Sequence, residues 1–185
     1  MAEQSRCVRS LRSRRGRAVR PAAFTLIELL IVVVILGILA TIVIPQFSSA
    51  SVNAKESTLK DELRYLRTQI VVYKAQHHDT PPGYPNGDRN LAPTGADFIA
   101  QLTRPTDGFG VTSTASSSVF KFGPYLSTMP NNPLNNQQAV LIVGDNQPMP
   151  VPTGVTYGWI YKPLTGEIIA NSTGGDASGT LYSTY

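Results

Sequence analysis

Phe24-Thr-Leu-Ile-Glu28-Leu-Leu-Ile-Val-Val-Val-Ile-Leu-Gly37-Ile-Leu-Ala-Thr-Ile-Val-Ile44, closed by Pro45-Gln-Phe47, is the stretch whose reading decides the fold. At about 1.5 Å per residue a helix over Phe24 to Ile44 covers roughly 32 Å, close to the ~30 Å hydrocarbon thickness of a bilayer. One carboxylate, Glu28, interrupts an otherwise apolar or small run. A charge inside a membrane span is costly when alone, so Glu28 calls for a cationic partner. Proline lacks the backbone donor of a helix interior, so Pro45 predicts a kink or local melting between Gly37 and Pro45 when such helices leave the membrane and pack, or else marks the end of the span.

Outward from this run, the charge is distributed unevenly. Residues 1–23 carry seven arginines (Arg6, Arg9, Arg12, Arg14, Arg15, Arg17, Arg20) against Glu3, whereas the rest of the chain carries nine basic against eleven acidic residues. The sequence pI near 9.3 therefore belongs to the leader. A mildly acidic body is a poor binder of phosphate, and no nucleic-acid partner is expected. Seven arginines before an apolar span predict a cytoplasmic leader and a C-terminal part across the membrane. The apolar core is too long for an ordinary secretory signal. The single cysteine, Cys7, lies in the leader, so packing and turns must hold the body of the chain together.

From Gln46 to Thr80 there is neither Pro nor Gly, which predicts continued helix. Leu59, Leu63, Leu66, Ile70, Tyr73 and His77 recur at spacings of 4, 3, 4, 3 and 4, one apolar stripe. Glu56 and Lys60 are placed to pair across one turn. The stripe needs a cover, at roughly 1.5–3 kcal/mol for each large side chain buried. Thr80-Pro-Pro-Gly-Tyr-Pro-Asn-Gly87 breaks the helix. Ala96 to Leu102 predicts a short helix with Phe98, Ile99 and Leu102 inward. Ala139–Val143, Thr156–Lys162 and Glu167–Ala170 predict three strands, the last two joined in a hairpin by Pro163-Leu-Thr-Gly166, with Tyr157, Trp159 and Tyr161 on one face. The expected architecture is α+β: a long N-terminal helix, half membrane and half amphipathic, packed against a small C-terminal antiparallel sheet. Its divisions are a basic leader (1–23), a membrane and assembly helix (24–45), an amphipathic continuation (46–80) and a globular domain (81–185).

Ala23/Phe24-Thr25-Leu26-Ile27-Glu28, followed by Gly37 and Ile44-Pro45-Gln46-Phe47, resembles the N-terminal region of type IV pilins and type II secretion pseudopilins. Gly123-Pro-Tyr-Leu and Pro130-Asn-Asn-Pro-Leu134 are similar to the major-pseudopilin branch. The resemblance implies a prepilin peptidase that cuts between Ala23 and Phe24 and methylates the new Phe24 amine. Where the family has glycine before the cut this chain has Ala23, small enough for a tight subsite. It also implies a single-pass inner-membrane protein with a periplasmic domain, other pseudopilin subunits and an inner-membrane assembly platform as partners, and Glu28, Gly37 and Pro45 as assembly residues. Glu28 would then pair with the Phe24 amine of a neighbouring subunit.

Chemistry of other kinds finds little support. His77 and His78 are adjacent, about 100° apart on a helix, and do not form a metal pair. No nucleophile motif or phosphate loop is present, so neither enzymatic activity nor a catalytic residue is expected. The resemblance implies a C-terminal loop that can bind calcium, and Asp176 sits in such a loop. Calcium takes six to eight oxygens and one acid supplies few, so residues alone read as a flexible tail with no cofactor. The cysteine-free mature chain favours a secretion pseudopilin over a pilus pilin. A membrane-tethered binding module is the reading from another class, and it requires nothing of Glu28.

Overall fold

The computed structural model describes residues 24–185, with the backbone alone described at Pro45 and Ser48. Ala23 and the rest of the leader lie outside the described residues. The chain divides into two compact units, Met1–Pro45 and Gln46–Tyr185. Helix α1, Leu26–Gln76, contributes residues 26–45 to the first and 46–76 to the second.

In the first unit every described side chain from Phe24 to Ile44 is exposed. A stretch this long and apolar is stable only against lipid or another protein surface. Its backbone is helical through residues 37–45 in the single chain.

The second unit is built on the stripe of α1. Leu59, Leu63, Leu66, Ile70, Tyr73 and His77 are all buried, and the buried line begins one turn earlier, at Glu56. The helix ends at Gln76 rather than Thr80, because His78 and Asp79 turn into the left-handed region, with φ of 51° and 62°. Helix α2, Gly95–Thr103, starts at Thr94, whose hydroxyl accepts a hydrogen bond from the Asp97 amide at 3.0 Å. It buries Phe98 and Leu102 against the stripe, with Ile99 half-buried at its edge. It also buries Gln101, whose side chain donates to the carbonyls of Tyr84 and Gly110 and accepts from the Gly83 amide. One polar side chain thereby ties two loops to the core.

The strands are β1 (Val140–Ile142), β2 (Trp159–Lys162) and β3 (Glu167–Ala170), in that spatial order. β2 and β3 form the expected antiparallel hairpin, Lys162 opposite Glu167 and Trp159 opposite Ala170. Gly166, at φ 72°, closes its turn.

The sheet is not wholly antiparallel: β1 pairs with β2 in parallel, Val140 opposite Trp159 and Ile142 opposite Tyr161. A parallel pair needs a crossover of a dozen or so residues, and the connection with Pro148, Pro150 and Pro152 supplies it. Asn171 holds that crossover, its Oδ1 accepting from the Thr153 amide and its Nδ2 donating to the carbonyls of Val155 and Tyr157. Thr156, at φ 67°, interrupts extended backbone, so β2 starts at Trp159 and Tyr157 does not share its face. Trp159, Tyr161, Ile168 and Ala170 face the α1 stripe, while Ile160, Ile169 and Val143 form a smaller cluster on the other side. The sheet is thus apolar on both faces.

Candidate assembly site

Of the expected processing and assembly residues, Phe24 and Glu28 lie at the start of α1, and Ala23 lies outside the described residues. Phe24 is 76% exposed and precedes the helix. The Glu28 amide donates to Thr25 Oγ1 at 3.2 Å, and the Thr25 amide donates to Glu28 Oε2 at 3.4 Å. These reciprocal bonds are a capping box: Thr25 satisfies an amide of the first turn, and Glu28 reaches back to the cap residue. The carboxylate also sits where the helix dipole favours negative charge. Thr25 thus joins Glu28 in organising this turn, and the Thr-x-x-Glu spacing is its signal in the sequence.

Farther along α1, the Thr41 hydroxyl donates to the Ile38 carbonyl at 2.7 Å, so its polarity is satisfied within the helix. A Cβ built on Gly37 meets nothing within 4 Å, which leaves a notch where another backbone can approach closely. The backbone at Pro45 is helical, and it closes the first unit. Phe24, Thr25 and Glu28 stand together within one turn, whereas Gly37 and Pro45 lie two and more turns away.

Away from this turn, His77 is a core histidine. Its Nδ1 lies 2.7 Å from the Tyr73 carbonyl and must donate to it, leaving Nε2 to accept from the Thr106 hydroxyl at 2.9 Å. The ring stacks on Tyr73 at 3.8 Å. Burial lowers its pKa, outweighing the opposing Tyr73 carbonyl and Asp107. His78 lies outside, its ring 5.6 Å from that of Phe109.

The expected Glu56–Lys60 pair is replaced by other partners. Glu56 Oε1 accepts from the Tyr182 hydroxyl at 2.9 Å, and Lys60 Nζ lies 3.8 Å from Asp176. The segment after β3 returns to α1 and captures both side chains, so a helix-local pairing rule gives way to tertiary contacts. For the same reason residues 171–176 are not a tail without partners. Gly175 bridges Leu181, and Asp176 is bonded to Ser178, Thr180 and Tyr185. Among the described residues, no three of His, Cys, Asp and Glu gather as a metal site would require.

Comparison with known proteins adds a second line of observation. The family model described as the prokaryotic N-terminal methylation motif matches residues 20–44. Type II secretion system core protein G of Pseudomonas aeruginosa is 29% identical over 127 residues, which cover 69% of this chain and 78% of that protein. The protein of the same name from Vibrio cholerae is 28% identical over 126 residues, 68% of this chain and 74% of its own. Type IV major pilin protein PilA of Myxococcus xanthus is 51% identical, but over 49 residues, 22% of its length. No solved structure matches the chain.

Proposed function

We infer that this chain, a member of the type IV pilin and type II secretion pseudopilin family, is a structural subunit of a type II secretion pseudopilus. The observation that carries the reading is the wholly exposed apolar stretch Phe24 to Ile44, whose one carboxylate, Glu28, lies a turn from Phe24. The similarity to core protein G favours the secretion branch, because it extends over more than 120 residues and so reaches far beyond the shared motif.

The mechanism follows from charge. Hydrolysis of the Ala23–Phe24 peptide bond by a prepilin peptidase releases the leader and creates an α-ammonium on Phe24. Methylation preserves its positive charge. In the single chain Glu28 accepts a long hydrogen bond, 3.4 Å, from the neutral amide of Thr25. An ammonium from a neighbouring subunit is a charged donor and pairs ion to ion, so gathering helices exchange one partner for a better one. A neighbour lacking that amine leaves a buried carboxylate unpaired, a penalty on wrong register. The apolar faces exposed here pack on one another as helices move from lipid into the filament, and the Gly37 notch admits close approach.

In this reading the leader stays cytoplasmic, residues 24–45 span the inner membrane, and the globular unit lies in the periplasm. The partners are the peptidase, other pseudopilins, the assembly platform and lipid, and the chain's task is mechanical rather than enzymatic. The short, highly identical match to a type IV major pilin supports a pilus subunit as the second reading. Glu28→Leu tests the mechanism: the variant should insert into the membrane normally yet form no filament. Filaments at normal yield would overturn it.

A further inference from the structure

The segment following β3 folds into a closed turn around Asp176. The Asp176 amide donates to the Thr180 carbonyl, and the Gly179 amide donates to the Asp176 carbonyl, both at 2.9 Å. Asp176 Oδ1 accepts from the amides of Ser178 at 2.9 Å and Thr180 at 3.0 Å, and from the Ser178 hydroxyl. Oδ2 accepts from the Tyr185 hydroxyl at 2.7 Å. The Lys60 ammonium stands 3.8 Å from Oδ2 and 4.2 Å from the centre of the Tyr185 ring. Alongside, Tyr182 bonds Glu56 and meets Tyr185 edge to face at 5.7 Å.

This donor set does not suit the calcium that the family resemblance implies for the loop. A calcium ion takes six to eight oxygen acceptors. The groups aimed at Asp176 are instead N–H and O–H donors and one ammonium, all competing for the carboxylate oxygens that a cation would need. The carbonyls of Asp176 and Thr180 are already engaged within the turn. Glu56, the other acid at this face, is turned to Tyr182.

We propose that a clamp of Tyr185, Ser178, Thr180 and Lys60 on Asp176, rather than a bound divalent cation, closes this loop, so that its order is independent of calcium. The ammonium of Lys60 supplies the positive charge, and α1 delivers it, fixing the loop to the helix that carries the core. The proposal concerns the globular unit and stands whether or not the chain assembles.

The test is thermal unfolding of the full chain in detergent, followed through its one tryptophan, Trp159, in chelator and in millimolar calcium chloride. The midpoint should be the same in both. Tyr185→Phe and Asp176→Ala should each lower it by about 2–4 °C in both conditions. A midpoint of the unaltered chain that rises with calcium, or variants that melt with it in chelator, would overturn the proposal.

Discussion

Thr25 and Glu28 illustrate how one side chain serves two states. As a capping pair they organise the first turn of the single chain, and the same carboxylate is the proposed acceptor for a neighbour's amine. Thr25→Ala should therefore cost about 0.5–2 kcal/mol in the local stability of that turn. Faster amide exchange at Glu28 in micelles would register it; unchanged exchange would show the cap to be idle. His77 makes a different prediction. Its folded pKa lies below its ordinary value, so the unfolded chain takes up the proton first as pH falls. Stability is complete above the ordinary histidine pKa near 6.5 and declines as pH drops below it. Melts at successive pH values should show this decline, and His77→Gln should weaken it. Of these residues, His77 is legible as the end of a stripe and Glu28 as a misplaced charge. The roles of Gln101 and Asn171 are not, because their partners are backbone groups of loops remote in sequence.

Among the elements, α1 and α2 follow from period and capping, and the β2–β3 hairpin follows from its four-residue turn. The orientation of β1 does not follow, because alternation of side chains is the same in parallel and antiparallel strands. It is set by the path of the proline-bearing crossover, which Asn171 and Gly158 secure. A Cβ on Gly158 would stand 2.0 Å from the Gln137 carbonyl oxygen. Gly158→Ala should consequently push the β1 approach away from β2 and destabilise the globular unit by about 1–3 kcal/mol, as overpacking does. Denaturant unfolding followed at Trp159 would measure it, and a midpoint equal to that of the parent chain would contradict the close approach. Leu66→Ala, in the middle of the buried stripe, should cost about 2–5 kcal/mol by the same measurement. At Pro45 the expected effect is on assembly: Pro45→Ala restores a backbone donor and should impair extraction of subunits into filaments. Unchanged assembly would reduce Pro45 to a boundary marker.

At the scale of the whole molecule, the two units express two solvents in one sequence. Residues 24–44 carry exposed apolar side chains on every face, with Glu28 their one charge, and find no cover among the described residues; the globular unit buries a single stripe and both faces of a small sheet. Composition and period make that division readable, whereas the way the last residues lock onto α1 depends on side chains that meet across more than a hundred positions. The central claim is that the exposed helix is made to be freed from its leader and joined to others. Mass spectrometry of the mature N-terminus tests it most directly: the account predicts a chain beginning at an N-methylated Phe24, and a membrane-inserted chain still beginning at Met1 would contradict it.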